Sequence, residues 1–429
     1  MDDQIPVVAG LVYRDYLGEV APLLEYSRVP DKIIPICLVA MGAAGRCGVP
    51  HAAGQANLQE IRMNMKMTLT PSQLLRLLVQ PPLAFGIACL AAAALALLAP
   101  SAAHAAKSSG PADVVFGQAS PLRHEMTPAI KASITKGLKW LAHRQNADGS
   151  FSNPQAPVAI TALSGLAFVA GGNLPGQGPY AHNVSQALKF VLSQCQQSGL
   201  IAGPSEGNPM YSHGFATLFL AETYGEAHLP SLRQKLQKAV RLIVQCQNNQ
   251  GGWRYQPVPM DADLSVTICQ VMALRAARDA GIAVPRRTIE RAIRFVRRLQ
   301  NPDGGFSYMI NSPGSAFPRS AAGVALLFYA GVYKGHAISA GVHYLMNCLP
   351  GSPNNSQGNF FYGNYYGTQA MFLAGGRWWA SWWPSLTKTL TGRQNDDGSW
   401  QGGAGRSYGT AMALIALQIP CRLLPILQK

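Results

Sequence analysis

One seven-residue motif recurs along the chain and constrains its architecture more than any other feature. Four clear copies, each with a glutamine, a glycine-containing turn and a final aromatic residue, lie at Gln145–Phe151, Gln247–Trp253, Gln300–Phe306 and Gln394–Trp400. Their spacing fits a period of about 50 residues, with degenerate copies expected at Gln196 and between Asn347 and Phe361. A period of this length indicates stacked supersecondary units. The sequence therefore predicts six repeats.

Each motif lies between two different helical patterns. In the first repeat, Thr127 and Pro128 are a good N-cap and first-turn pair, and the stripe that follows (Ile130, Ile134, Leu138 and Leu141) predicts a helix with one buried side. The segment from Pro157 to Val169 is small and apolar nearly all round, as a helix packed on both sides should be. We expect an outer and an inner helix in every repeat.

The motif itself has a structural logic. Its glycine permits the turn that ends the outer helix, its glutamine can bond exposed backbone there, and its aromatic ring can fill the joint. Nearly half of the residues (48%) are apolar and only 13% are charged, enough for a large buried core.

This motif after an amphipathic helix, repeated about six times over roughly residues 125–420, resembles the repeats of squalene cyclases and protein prenyltransferase β subunits. More narrowly, the chain is similar to exported bacterial proteins with prenyltransferase and squalene oxidase repeats and a single toroid. The resemblance implies an all-α fold, an α/α toroid of about six two-helix repeats. It also implies inner helices around a largely apolar central cavity.

The first part of the chain predicts export. The uncharged stretch from Leu83 to Ala99 follows Lys66 and Arg76 and precedes small residues at Ala103–Ala105, which is the layout of a secretory signal. An uncleaved membrane anchor is the alternative. We divide the chain into an upstream extension or leader (1–62), a signal peptide (63–105), a linker (106–126) and the toroid (127–429), and expect a periplasmic or extracellular location.

Charge and cysteine patterns bear on partners and cofactors. The formal net charge is +15, and six arginines between Arg286 and Arg298 interleave with apolar residues on one predicted helix. A solvated outer face is the simpler interpretation and contact with an anionic surface the alternative, without a nucleic-acid motif in support. Five widely spaced cysteines after residue 105 do not form a disulfide pattern, and without a CxxC or HExxH motif we expect no metal and no cofactor.

Alignment of the six inner helices predicts a polar ring at one mouth of the toroid. One column is mostly threonine (Thr161, Thr217, Thr267, Gly323, Thr368 and Thr410), which favours close packing. One turn earlier, polar residues from five repeats fall near helix N-termini, where backbone amides attract anions: His213, Asp263, Arg319, Asn364 and Arg406. We expect these five to lie at similar depth, with His213 and Arg319 beside Asp263.

The candidate catalytic residues are Asp263, Asp261 and His213. The segment from Asp261 onward is similar to the DxDD region of squalene cyclases, which implies that Asp263 is the general acid, but Leu264 stands where the last aspartate should be. A helix-capping aspartate in a salt-bridged rim is the structural alternative. The zinc pattern of prenyltransferases is not matched, since Leu264 and Ser265 follow Asp263.

Aromatic residues in loops and first turns are candidates for ligand binding at the same mouth, although they can also serve as plugs. These are Trp253, Tyr255, Tyr308, Tyr362, Tyr365, Tyr366 and Tyr408. The predicted binding set takes five of them, together with three polar residues: Trp253, Tyr255, Tyr365, Tyr366, Tyr408, Arg319, Asn364 and Arg406.

Three functional hypotheses follow. The first is an exported toroid that binds an apolar, isoprenoid-like molecule or a protein segment. The second is a terpene-cyclase-like isomerase that uses Asp263, against which stands the room for one barrel where those cyclases have two. The third is a polysaccharide-acting α/α-barrel enzyme, for which Glu222, Asp261 and Asp263 are the available carboxylates.

Overall fold

The computed structural model describes residues 125–227, 229–312, 314–355 and 358–428. Within these ranges the chain forms twelve α-helices and isolated β-bridges but no β-sheet. The helices are α1 (Pro128–His143), α2 (Pro157–Ala170), α3 (Ala181–Ser193), α4 (Pro209–Glu222), α5 (Pro230–Gln245), α6 (Leu264–Asp279), α7 (Arg286–Arg298), α8 (Phe317–Tyr329), α9 (His336–Met346), α10 (Phe360–Ala374), α11 (Gly376–Gly392) and α12 (Arg406–Gln418). The predicted leader, the signal peptide and nearly all of the linker lie outside the described residues.

The helices form two concentric layers, as the repeats predicted. The even-numbered helices are buried on nearly every side and form the inner layer, whereas the odd-numbered helices each bury one stripe. Consecutive inner helices pack against each other, and the last, α12, packs against the first, α2. The inner layer therefore closes into a ring of six parallel helices, which confirms the α/α toroid.

The first repeat forms as its sequence predicts. Thr127 caps α1 by accepting a hydrogen bond from the backbone N–H of Ile130, and the stripe from Ile130 to Leu141 is buried.

Of the helices that the structure describes, none has the length and apolar character needed to span a bilayer.

The motif joins successive repeats. In each clear copy the glutamine side chain donates to the carbonyl of its own glycine and to a carbonyl on the next outer helix, as Gln247 does to Gly251 and Thr288. The motif glycine has a positive φ and its Cα faces a carbonyl of the same outer helix; a Cβ on Gly304 would lie 2.4 Å from the oxygen of Ala340. A side chain is thus excluded there for two independent reasons.

The threonine column supports the motif as well. The hydroxyl groups of Thr161, Thr267 and Thr410 each accept a hydrogen bond of 3.0 Å from the backbone N–H of their motif's aromatic residue. Close packing alone was predicted for this column. The structure adds that three of its members satisfy a buried backbone donor.

The second, degenerate repeat is offset by one residue from the expected alignment. Gly199 occupies the place of the motif glycine, since a Cβ on it would meet the carbonyl of Lys238 on α5. Counting back, Cys195 and not Gln196 stands at the motif-glutamine position. The cysteine is too short to bridge to α5, and a cavity of about 220 Å³ lies between it and Lys235. All five described cysteines are free.

In the fifth repeat a tryptophan from another element replaces the missing motif aromatic. Trp382 on the outer helix α11 is fully buried, and its indole N–H donates to the Thr368 hydroxyl at 3.1 Å. The ring also packs against Phe317. The joint is therefore filled from the outer layer and not from the turn.

Aromatic side chains meet across the lumen of the toroid, and buried tail residues cover one end. Phe215 on α4 and Tyr365 on α10, which lie opposite each other in the ring, have ring centroids 6.4 Å apart. At the C-terminal ends of the inner helices the tail residues Leu424, Ile426 and Leu427 are buried, and the Ile426 N–H donates to Glu222. This differs from the apolar central cavity that the resemblance implied, because aromatic side chains occupy the lumen.

Candidate functional site

A pocket of about 390 Å³ opens at the other end, where the inner helices begin. Its lining includes five tyrosines and one arginine: Tyr211, Tyr255, Tyr308, Tyr362, Tyr408 and Arg319. These residues come from five repeats, because every motif loop and every inner-helix first turn lies at this mouth. The polar and aromatic lining suits a ligand with both hydrogen-bonding groups and flat or apolar surfaces.

Hydrogen bonds between the hydroxyl groups fix the orientation of the tyrosines. Tyr211 bonds the Ser265 hydroxyl at 2.6 Å, and the Tyr255 and Tyr308 hydroxyls bond each other. Tyr362 donates to the carbonyl of Ser265 at 3.4 Å. Ser265, in the first turn of α6, therefore ties two walls of the pocket together.

Asp263 lies behind this wall as the N-cap of α6. Its Oδ1 accepts hydrogen bonds from the backbone N–H of Val266 at 2.9 Å and from the Ser265 hydroxyl at 2.6 Å. The residue is fully buried and is separated from the pocket by Ser265. These are the contacts of a helix-capping aspartate.

The cation beside Asp263 is Arg254, and not His213 or Arg319 as predicted. The loop between the third motif and α6 folds back on itself, and the backbone of Asp263 pairs with that of Trp253. This brings Arg254 Nε to 3.5 Å from Asp263 Oδ2, and the same guanidinium bonds Asp261. The arginine also lies over the ring of Tyr255.

Burial raises the pKa of Asp263, although hydrogen bonds from Ser265, Val266 and Tyr308 and the charge of Arg254 oppose the rise. Its Oδ2 faces the Arg254 guanidinium and accepts no close hydrogen bond within the described residues. The carboxyl group is thus partly, not completely, satisfied by its surroundings.

His213 is a structural residue of the second repeat. It is fully buried, and its Nδ1 accepts a hydrogen bond from the Ile201 N–H at 3.1 Å while Nε2 lies 3.3 Å from the Ala239 carbonyl. It takes the role that threonine has in other repeats. Burial lowers the pKa of His213 to about 4, so the imidazole is neutral at physiological pH.

The remaining members of the predicted polar ring mainly bond local structure in their own repeats. Arg319 donates to the carbonyls of Phe306 and Gly314, and Arg406 bonds Asp397 and Ser399. Asn364 exchanges hydrogen bonds with Asn355. Of these three, Arg319 also lines the pocket.

The predicted aromatic set divides between mouth and core. Tyr255, Tyr308, Tyr362 and Tyr408 line the pocket, but Trp253 is a buried plug whose indole donates to the Ile243 carbonyl. Tyr365 and Tyr366 are buried deeper in the barrel. Tyr211 and Ser265 also line the pocket and were not predicted, although their position in the first turn of an inner helix is a signal that identifies them.

The carboxylates proposed for polysaccharide chemistry are not brought together. Glu222 ends α4 and Asp263 precedes α6, so that they lie at opposite ends of the parallel inner helices. Asp261 is close to Asp263, but both share Arg254. In the described part of the chain no group of three histidine, cysteine or acidic residues is placed to hold a metal ion.

The fold is an α/α toroid with a polar, aromatic mouth, and part of it matches a known family. Residues 211–351 match the model of the prenyltransferase alpha-alpha toroid domain family, which confirms the resemblance carried by the repeats. Over 211 residues the chain is 28% identical to drimenyl diphosphate synthase of Streptantibioticus cattleyicolor. This match covers 47% of the chain and only 35% of that curated relative.

Solved structures share the fold at low identity. A variant of the type II terpene cyclase MstE from Scytonema, in complex with merosterolic acid A, has 15% identity and a TM-score of 0.51; the match covers 70% of this chain and 99% of that one. The GH76A α-1,6-mannanase from Salegentibacter has 10% identity and a TM-score of 0.53, over 68% and 99% of the two chains. The toroid fold thus spans nearly all of both solved chains.

Proposed function

We propose that this protein is a binding toroid that holds an isoprenoid-like ligand at its tyrosine-lined mouth. The observation that carries the proposal is the pocket of about 390 Å³, which is within the size range of small-molecule sites. Tyrosine rings offer faces to an unsaturated chain, and their hydroxyl groups and Arg319 offer partners to a polar end. The similarity to drimenyl diphosphate synthase and to MstE favours this ligand class.

Binding is favoured over catalysis because Asp263 is shielded. A general acid must reach the atom that it protonates, whereas Asp263 is fully buried, caps a helix with one oxygen and lies beside Arg254 with the other.

Lipid extraction from the purified protein followed by mass spectrometry would identify a retained ligand. Titration with farnesol and geranylgeraniol, followed by tyrosine fluorescence, would test the pocket directly. Ala316→Trp places bulk in the pocket wall and should abolish binding, whereas Ala129→Trp, on the exposed face of α1, should leave it unchanged. Equal binding by both variants would rule out this pocket.

A terpene-cyclase-like isomerase is the second candidate, favoured by the raised pKa of Asp263 and by its Oδ2, which accepts no close hydrogen bond within the described residues. Asp263→Asn distinguishes the two, because an amide can cap a helix but cannot donate the proton. Product from squalene or another polyprene that is lost in this variant and kept in Asp261→Asn would establish the enzyme. No product from the unmodified protein would leave the binding proposal ahead.

We propose in addition that the toroid is exported through the signal between residues 63 and 105. Support for this comes from the sequence pattern alone.

A further inference from the structure

The outer layer of the toroid is almost entirely basic where it is charged. The six outer helices contain sixteen lysines and arginines and a single acidic residue, Glu290. Acidic residues lie instead in motif turns and inner-helix ends, such as Asp148 and Asp279. The excess positive charge therefore faces outward from the barrel wall.

The charge is concentrated on α7. With 3.6 residues per turn, its six arginines fall within an arc of about 140°. The opposite side is buried through Thr288, Ala292, Phe295 and Val296, while Ile289 and Ile293, expected on the buried face, are half-buried. One face of the helix is thus a continuous basic surface.

Most of these guanidinium groups are not neutralised within the described residues. Arg286 pairs with Glu290, and Arg291 donates to the Asn248 carbonyl. Four others, Arg287, Arg294, Arg297 and Arg298, are exposed and have no ion pair in the described part of the chain. Unpaired arginines at this density repel each other and favour a polyanionic partner.

An apolar loop tip lies on the same side of the barrel as α7. The loop follows the third motif, which packs on α7: a Cβ on Gly251 would lie 2.3 Å from the carbonyl oxygen of Arg291. Val258 and Met260, in the loop that leads into α6, are 43% and 79% exposed. The same loop supplies Tyr255 to the pocket. A soluble polyanion would leave the Met260 side chain exposed to water. Entry of this side chain into the acyl region beneath lipid headgroups would bury its apolar surface and stabilise the bound state.

We infer that the α7 side of the toroid docks on an anionic lipid surface, with arginines on headgroups and the Val258–Met260 tip in the interface. This inference does not depend on whether the pocket holds a ligand. It predicts a binding constant that falls steeply with salt, because exposed charges are screened within about 3 Å at about 1 M salt and within about 10 Å at about 0.1 M.

The test is co-sedimentation of the full chain with vesicles of phosphatidylglycerol and phosphatidylcholine, compared with pure phosphatidylcholine. The measured quantity is the ratio of the two binding constants, in which a constant contribution from the apolar stretch 83–99 cancels. Each basic side chain near such a surface contributes about fivefold, so the triple variant Arg294→Gln, Arg297→Gln, Arg298→Gln should lower the ratio by about 100-fold.

A matched control is available on the opposite side of the barrel. Lys131, Lys136 and Lys139 are exposed on α1, three repeats from α7. Their triple change to glutamine removes the same charge and should change the ratio by no more than about threefold. Equal losses from both triples would overturn the inference, since binding would then depend on net charge alone.

Met260→Ser distinguishes lipid from a soluble polyanion. It should weaken vesicle binding about tenfold and leave binding to dextran sulfate unchanged. If Met260→Ser has no effect on vesicles and dextran sulfate competes as well as lipid does, the partner is a soluble polyanion and the inference is wrong. Circular dichroism of each variant would verify that the helices are intact.

Discussion

The side-chain amide of Gln394 donates a hydrogen bond of 2.9 Å to the backbone carbonyl of Ser133, and its carbonyl accepts one from the Ser133 hydroxyl. The two residues are 261 positions apart. Gln394 belongs to the last motif and Ser133 to the first outer helix, so this contact closes the outer layer between the two ends of the toroid.

Gln394→Leu should therefore destabilise the protein by about 2 kcal/mol, because it leaves buried partners without hydrogen bonds. Thermal or urea unfolding would measure the loss. Gln237→Leu, on the exposed side of α5, is the control and should change little. Equal effects would contradict the closing role.

Restoring the missing glutamine should stabilise the second repeat. Cys195→Gln would place an amide within reach of the Gly199 and Lys235 carbonyls and would occupy part of the cavity of about 220 Å³. We expect a gain of about 1 kcal/mol in the free energy of unfolding. Gln196→Ala should not reverse the gain; if it does, the one-residue offset of this repeat is wrong.

Alanine substitutions at two glycines should distinguish the cost of backbone strain from the cost of a steric clash. Gly304 and Gly176 both have a positive φ, at 85° and 79°, but a Cβ meets the Ala340 carbonyl only at Gly304 and nothing within 4 Å at Gly176. Gly176→Ala should cost about 1 kcal/mol and Gly304→Ala clearly more. Similar melting temperatures for the two variants would show that the joint can relax.

Glu222 should make the protein progressively less stable as pH rises from the mildly acidic range to about 8. Burial raises its pKa to about 8, with Asp279 adding to the effect. The folded protein then holds a proton that the unfolded chain releases, so stability falls as pH rises from about 4.5 to about 8. Glu222→Gln should remove this decline in a series of melting curves, and Glu226→Gln, which is exposed, should retain it.

His213 should make the protein less stable at acidic pH. Its pKa is lowered to about 4, so the neutral form is kept in the fold while the unfolded chain binds a proton below about pH 6.5. Stability is therefore lost as pH falls from about 6.5 to about 4. His213→Asn, which keeps an acceptor for the Ile201 N–H, should reduce that slope; His343→Asn, on an exposed residue, should not.

The fold was predictable because the repeat can be read from local sequence, and each repeat forms one outer and one inner helix that pack in the same way around the ring. Motif glutamine, glycine and aromatic residue each have the role expected of them, and inner helices are recognisable by being apolar all round. The prediction that Gln196 is the motif glutamine was wrong because the strings QCQQ and QCQN align best by sequence identity when Cys195 is matched to Cys246. Only the contact of Gly199 with α5 shows which residue faces the joint.

The candidate site was predicted in part, for a different physical reason. Residues at inner-helix N-termini could be placed at one mouth, and four tyrosines do line it. The neighbour of Asp263 could not be found this way, because Arg254 reaches it through a loop that folds back by pairing Trp253 with Asp263. Helix alignment contains no information on that loop.

Because of the contact between Phe215 and Tyr365 and the buried tail at Ile426, the pocket has a single opening, at the mouth. Any molecule in the pocket must leave by the way it came, and no chain can thread through the toroid. Anything that covers the mouth without touching the ligand should therefore lower the association rate and the dissociation rate of the ligand by the same factor. Affinity would then be unchanged while residence time lengthens.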